Sequence, residues 1–288
     1  MSINIQTIKD IRLYLAKELE EIYSITESGS ITNIVIKTVF STNKLHQLYL
    51  DKPVVNKEQA QRVVDICKEL KTGKPLQYVL GETVFYDCII RLNNSTLIPR
   101  PETEELVDLI IKENKDYSGQ IIDFGTGSGC IAVALAANMP GSEVTGTDIS
   151  EEAISMAREN AMLNNVTVKF LIEDIFSSDQ NMFGKAGIIV SNPPYVRNSE
   201  KLLMSKNVLD FEPPAALFVQ DSDPLVFYRA ILGLTRNILT SDGKIYFEIN
   251  EALGKQMLQL FESFGYSEAE IVKDINGNDR IIKGRRNG

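Results

Sequence analysis

Residues 191–195 read SNPPY, directly behind the apolar run AGIIV. Pro193 and Pro194 each fix φ, so the Asn192 carboxamide is held unusually stiffly where a strand meets the Tyr195 ring. Asn and Pro are also ordinary turn formers, and by itself the motif leaves a plain tight connection open. Residues 125–129 read GTGSG, between the apolar run QIIDF and the aliphatic stretch CIAVALAANM. Gly125, Gly127 and Gly129, with Thr126 and Ser128 between them, let the backbone turn sharply and approach a ligand, with a helix N-terminus behind. The dinucleotide fingerprint has its third glycine one position later, and a strand-to-helix turn that binds nothing would use the same residues. Asp148 lies 19 residues past Gly129, at the end of the next predicted strand. A carboxylate there either accepts hydrogen bonds from both hydroxyls of an adenosine ribose or caps the helix opening at Ser150–Glu151. Asp174 closes the following strand and is either within reach of an adenine amino group or a loop carboxylate.

The elements that must position these residues alternate from residue 119 onward. QIIDF, SEVTGTD, VTVKFLIED and AGIIVSN read as parallel strands, with helices over CIAVALAANM and SEEAISMARENAMLNN. The acids and amide at 123, 148, 174 and 192 thus gather at the carboxyl ends of the strands, the edge where open α/β sheets bind ligands. A helix near Leu225–Leu239, the strand KIYFEIN and the helix EALGKQMLQLFESFG follow, then two strands joined by an Asn-Gly turn. Glu248 and Asn250 end the KIYFEIN strand and either line the pocket or sit in a loop. Upstream, Val84–Tyr86 and Cys88–Leu92 read as a hairpin or extended connector. Pro101 opens a helix whose first turn is acidic, and Arg100 before it reads as a solvated loop charge.

The first 75 residues are helical in pattern. Ile8, Ile11, Leu15, Leu19 and Ile22 recur on one helix face, and Lys37 to Leu50 suggests another helix or two. In NKEQAQRVVDICKELKTGKP, Asn56 is an N-cap with Gln59 three residues on; Ala60, Val63, Val64, Cys67 and Leu70 form the stripe, and Gly73 and Pro75 stop it. These stripes read as the core of a small bundle.

Composition narrows the chemistry. With a single histidine, His46, triads based on His and most transition-metal sites drop out, and Cys67, Cys88 and Cys130 are too scattered for a disulfide framework or metal knuckle. No apolar run reaches membrane-spanning length, and the first twenty residues lack a signal-peptide pattern, so a cytoplasmic protein is expected. The net charge of −9 divides into +2 over residues 1–80 and −11 over 81–288. A duplex-gripping catalytic domain needs a basic footprint, so direct nucleic-acid binding is not expected.

A glycine loop, two acidic strand ends and then NPPY, on a sheet finishing in an antiparallel hairpin, resemble the class I methyltransferases that use S-adenosylmethionine. NPPY resembles the motif four of those that methylate amino groups. GKPLQYVLGETVFY, LIPRPETEEL, DFGTGSGCIAVALA, IVSNPPYV, DFEPPAALFVQDSDPLVFYRAI and DINGNDRIIKGR in this order are similar to the HemK/PrmC family of release factor glutamine methyltransferases. IPRPETE and FEPPAAL are the most specific of these. The resemblance implies an α/β fold, a Rossmann-like, mostly parallel sheet, with a substrate-recognising helical bundle over 1–75, a connector over 76–98 and the methyltransferase domain over 99–288. It also implies methyl transfer to the glutamine amide of the Gly-Gly-Gln loop in class 1 peptide chain release factors, leaving S-adenosylhomocysteine and needing no metal. Gly125, Thr126, Gly127, Ser128, Gly129, Asp148, Asp174, Ile175 and Asn192 then hold the donor, and Asn192, Pro193, Pro194 and Tyr195 clamp the glutamine. Members often carry an aromatic residue where this chain has Ile175, and Phe176 is placed to substitute for it.

The Asn192 oxygen and the Pro193 carbonyl suit an amide nitrogen that must pyramidalise as it attacks. Two other readings share parts of the pattern. An adenine methyltransferase acting on DNA or RNA would share NPPY but bring a basic recognition region, and a non-catalytic binding protein should have lost a glycine or the Asn.

Overall fold

The computed structural model describes residues 5–42, 45, 46, 48, 52–177 and 182–286. The chain divides into two compact units, one of residues up to Gly81 with Lys206–Phe211, the other of Glu82–Ser205 with Glu212 onward.

The first unit is helical. Helix α1 (Ile8–Leu19) starts at Thr7 with a capping box to Asp10, and α3 (Lys57–Leu70) at Asn56 with one to Gln59. Between them α2 (Ile25–Val39) is capped by Ser24. Ile11, Leu15, Val35, Ile36, Val63 and Leu70 meet in one core. Ile22, read from sequence as part of the first stripe, lies past the end of α1 and is 44% exposed. The chain leaves the helix at Leu19, where its carbonyl accepts from the N–H groups of Ile22 and Tyr23 in a closing turn. Of the Lys37 to Leu50 expectation, α2 supplies the start, and much of the rest lies outside the described residues. After Gly73 the short helix α4 (Leu76–Leu80) ends at Gly81, which is left-handed at φ 77°.

The second unit opens with the hairpin β1 (Glu82–Phe85) and β2 (Cys88–Arg91), joined through Tyr86 and Asp87, both at positive φ. Helix α5 (Pro101–Glu113) has proline in its first turn, and Arg100 sits at its N-cap without a side-chain cap bond. Strand β3 (Gln120–Phe124) and helix α6 (Cys130–Asn138) begin the alternation, followed by β4 (Glu143–Asp148) and α7 (Glu151–Leu163). Strands β5 (Val168–Ile172) and β6 (Ala186–Ser191) come next. The short strands β7 (Val196–Arg197) and β8 (Phe218–Val219) pair with each other; in the chain between them comes helix α8 (Lys206–Phe211), which belongs to the first unit. Helix α9 (Val226–Ile238), strand β9 (Leu239–Glu248) and helix α10 (Gly254–Ser263) lead to the terminal hairpin of β10 (Tyr266–Lys273) and β11 (Asp279–Arg286).

The main sheet runs in the order β10-β11-β9-β6-β3-β4-β5. Strands β9, β6, β3, β4 and β5 are parallel, and β11 enters antiparallel to β9 and β10. The order reverses between β3 and β6. Loops leaving the carboxyl ends of these two neighbours therefore open beside each other, the usual place for a ligand crevice. Those loops are GTGSG and NPPY. Three strand ends of the main sheet fall short of the sequence reading, β6 by one residue, since it stops at Ser191 and leaves Asn192 to the loop. β5 stops at Ile172: the Glu173 N–H makes the last ladder bond, to the Asp148 carbonyl at 2.8 Å, and Asp174 then closes a local turn by accepting from the Phe176 N–H at 2.9 Å. β9 stops at Glu248, and Asn250 caps the short turn after it by accepting from Ala252.

The glycines of GTGSG divide into two kinds. Gly125 (φ 70°) and Gly127 (φ 54°) have open space where a Cβ would stand. At Gly129 (φ 79°) an added Cβ would meet the Ala157 Cβ at 2.9 Å and its Cα at 3.1 Å, so this glycine lets α6 pack on α7. Gly129→Ala should lose about 2–4 kcal/mol of stability, combining overpacking against a helix backbone with the left-handed penalty. Gly127→Ala should lose only about 1–2 kcal/mol, the conformational part. Chemical denaturation of both variants checks this; equal losses would mean that packing is not what Gly129 provides.

Candidate active site

The glycine loop is tied down on both sides. The Thr126 N–H donates to the Thr147 carbonyl at 2.8 Å, and its hydroxyl donates to Asp123 Oδ2 at 2.6 Å. The Gly127 N–H donates to Asp148 Oδ2 at 2.9 Å, and the Ser128 carbonyl accepts from the buried Asn160 amide at 2.9 Å. Asp148 Oδ1 accepts from the Ser150 N–H at 3.0 Å, while Ser150 itself caps α7 by accepting from Ala153 at 3.1 Å. Asp148 is therefore not the helix cap; it joins the loop after β3 to the end of β4. Each of its oxygens keeps a lone pair for a further donor. Burial pushes its carboxyl above the usual range, against the N–H groups of Ser150 and Gly127.

Asp123 lies deeper. Its Oδ1 is buried with no hydrogen-bond partner among the described residues. Burial drives its pKa up to about 7, with the Thr126 hydroxyl opposing and the Asp148 charge adding to the rise. Ile175 and Phe176 part ways: Ile175 packs on the core, whereas Phe176 is 55% exposed and its ring lies 5.4 Å from that of Phe227. Asp174 also accepts from the Ser177 hydroxyl at 3.4 Å.

The second loop begins where the Ser191 hydroxyl donates to the Phe124 carbonyl at 2.6 Å, binding the ends of β3 and β6 together. Asn192 follows at once. Its Nδ2 donates to Thr103 Oγ1 at 3.1 Å, Thr103 donates to Glu248 Oε2 at 2.6 Å, and the Tyr195 hydroxyl donates to Glu248 Oε1 at 2.8 Å. Pro193 is buried and Pro194 half-buried. Burial pushes the Glu248 carboxyl up, while Thr103, Tyr195 and the Arg280 charge pull it back. Burial, with Glu248 beside it, holds the Tyr195 phenol well above its ordinary pKa, so it remains a donor. Asn250 donates to the Tyr195 carbonyl at 3.3 Å and to Glu200 at 3.0 Å, and Glu200 accepts from the Arg197 N–H at 2.8 Å. Glu248 and Asn250 thus brace the NPPY loop from beneath.

Arg100 is not a solvated charge. Its guanidinium donates to Glu212, whose side chain is fully buried and also accepts from the Ile98 N–H at 3.3 Å. Burying that carboxylate requires a cation, and the arginine, its side chain still 34% exposed, supplies it. The pair joins IPRP to FEPP across 112 residues of chain. Sequence reading missed Thr103, Glu212 and the bracing role of Glu248; IPRPETE and FEPPAAL stand out as segments, but nothing in their spacing says that they touch.

Comparison with known proteins places this architecture. Residues 103–210 match the methyltransferase small domain. A methyltransferase from Pyrococcus furiosus shares the fold, with a TM-score of 0.51 at 17% identity, over 80% of this chain and all of that one. The release factor glutamine methyltransferase of Flavobacterium psychrophilum is 42% identical over 280 residues, covering 96% of this chain and 98% of the relative. This chain belongs to that family. The corresponding enzyme of Bacteroides thetaiotaomicron is also 42% identical, over 96% of this chain and 99% of its own. The release factor glutamine methyltransferase fold is thus the class I methyltransferase sheet, and the chain is an enzyme of that kind. Among the described residues no group of His, Cys, Asp and Glu could hold a metal ion, and no helix is long and apolar enough to cross a membrane.

Asp123 supplies a pH test of the crevice. It holds its proton to about pH 7 in the folded protein, against an ordinary value of 3.8. Between those values the folded state binds more protons than the unfolded chain, so this group's contribution to stability falls as pH rises. Asp123→Asn should remove that slope, gaining on the order of a few kcal/mol relative to wild type between pH 4 and pH 8. Urea unfolding across that range measures it; parallel curves for the two proteins would mean that Asp123 is ionised throughout.

Proposed function

We propose that this protein transfers a methyl group from S-adenosylmethionine to the side-chain amide nitrogen of the glutamine in the Gly-Gly-Gln loop of class 1 peptide chain release factors. The observation that carries the reading is the orientation of Asn192. Its Nδ2 is engaged by Thr103, and its Oδ1 has no protein donor among the described residues, beside the glycine loop at the switch point of the sheet. Family membership over nearly the whole chain supports the same substrate.

The donor crevice fits an adenosine-containing sulfonium. The Asp123 Oδ1 is buried and unpartnered, the Gly125 and Gly127 positions leave their Cβ space open, and Asp148 stands at the end of β4. In this reading Asp148 accepts from the ribose hydroxyls, Asp174 serves the adenine amino group, and the backbone of residues 125–129 lies along the rest of the donor. S-adenosylmethionine, when bound, supplies an electrophilic methyl group on a positively charged sulfur. The protein's part is to make a poor nucleophile attack. A planar amide nitrogen has its lone pair delocalised; accepting its N–H hydrogens at Asn192 Oδ1 and at the Pro193 carbonyl favours pyramidalisation as the nitrogen–methyl bond forms. The sulfur–methyl bond breaks in the same step, its electron pair stays on the sulfur of the departing neutral thioether, and the nitrogen gives up one proton to water. Tyr195, anchored through its hydroxyl, keeps its ring against the substrate's planar group, and Pro193 and Pro194 hold the acceptors in place. No histidine and no covalent intermediate is needed. The helical unit meets the body of the release factor, and the work is done in the cytoplasm.

The direct test gives labelled S-adenosylmethionine with a purified release factor in one reaction and duplex DNA in another. Label in the release factor, lost when its Gly-Gly-Gln glutamine is replaced, is expected; label only in DNA would overturn the reading in favour of an adenine methyltransferase. Asn192→Ala should cost on the order of 10²–10³ in single-turnover rate while leaving the fold intact. Asp148→Ala should instead weaken donor binding, by about 1.5–3 kcal/mol in calorimetric titration. An unchanged affinity would restrict Asp148 to fastening the glycine loop.

A further inference from the structure

The NPPY amide works only if it presents oxygen, not nitrogen, to the substrate. Nothing within NPPY decides which, because the two ends of a carboxamide have nearly the same shape. Outside the loop, Glu248 is 1% exposed at the end of β9 and Thr103 is 1% exposed on α5. In its ionised form, which the two hydroxyls and the Arg280 charge favour, Glu248 can only accept, so the Thr103 hydroxyl gives its one hydrogen to Oε2. That leaves Thr103 only lone pairs for Asn192, and the amide must turn its N–H toward Thr103 and its oxygen away. The second Glu248 oxygen is occupied by Tyr195, so the carboxylate also fixes the other end of the motif.

We propose that Glu248 and Thr103 are positioning residues that set the polarity of the Asn192 amide, making it an acceptor toward the target nitrogen. This rests on the methyl-transfer reading above. The relay has a direction, and reversing it gives a test. Asn192→Asp alone sets an oxygen against Thr103, whose only hydrogen is already given to Glu248, so two acceptors face each other. Adding Glu248→Gln allows the introduced amide to donate to Thr103 while its oxygen still accepts from Tyr195. Thr103 then donates to the new carboxylate at 192, whose other oxygen faces the substrate. The charge is moved rather than changed, and every hydrogen bond of the relay is restored with its direction inverted.

Asn192→Asp should lower kcat on a release factor by about 100-fold, the scale of losing one aligned group. The double variant should recover at least about 10-fold of that, although Glu248→Gln alone lowers activity, as coupled sites require. Thr103→Val, which keeps the shape and removes the hydroxyl, should lower kcat about 10-fold or more with KM and donor affinity within about twofold, and Thr103→Ser should restore it. Circular dichroism and donor titration accompany each kinetic measurement. Losses in the double variant that simply add, or wild-type kcat in a folded Thr103→Val, overturn the proposal. Should the double variant fail to fold, the Val and Ser pair decides alone. Wild-type enzyme that leaves the release factor unlabelled would instead overturn the methyl-transfer reading itself.

Discussion

A carboxylate taken out of water must be met by donors, or it gives up its charge. Glu248 is met by the Thr103 and Tyr195 hydroxyls, with Arg280 close enough to act on it electrostatically, and the Tyr228 hydroxyl donates to its backbone carbonyl at 2.8 Å. These partners come from α5, from the loop after β6, from α9 and from β11. The carboxylate and the backbone carbonyl of this one residue therefore gather four separate stretches of chain at the end of β9. The loop that carries Asn192 is stiff for two reasons: the prolines set its dihedrals, and Tyr195 pins its far end to that carboxylate.

Glu212 repeats the principle nearby. Its charge is matched by Arg100 and by the backbone of Ile98, so the chain entering α5 is held to the segment that follows α8. The two most specific segments of the sequence are thus physical partners. One positions Thr103; the other returns the chain to β8, which pairs with β7 directly behind Tyr195.

What the sequence made legible follows from how local each signal is. The strand-helix alternation, the capping box at Asn56 and the Asn-Gly hairpin depend on neighbours within a few residues, and all appear where periodicity and turn chemistry put them. Asp123, Asp148 and Asn192 share one sheet edge because parallel strands must end together. Boundaries were harder to read: Asp174 sits beyond β5 because two side-chain and backbone turns captured the chain first. The relay below NPPY was illegible, because Thr103 and Glu248 are 145 residues apart and a threonine in an acidic first turn looks like any other. Arg100 looked solvated for the same reason. Its partner is a glutamate whose burial no local pattern reveals.

The hairpin β1–β2 has two strands, and a sheet that small exposes backbone groups along both edges. Asn160 on α7 and Asn164, the residue that caps its C-terminus, close one of them. Asn164 accepts from the Ile89 N–H at 3.0 Å and donates to the Ile89 carbonyl at 2.7 Å, and Asn160 does the same for Arg91 at 2.7 and 3.0 Å. A carboxamide carries the same donor and acceptor as a peptide group, so α7 presents the hairpin with a substitute third strand made of side chains. Alternate residues of β2 match successive turns of the helix, which pins the hairpin's register: a slip by one residue would leave both amides facing the wrong groups. The arrangement also removes an adhesive edge. Another chain offering a strand to β2 finds its hydrogen bonds already taken, so the device that docks the hairpin also guards the protein against edge-to-edge aggregation.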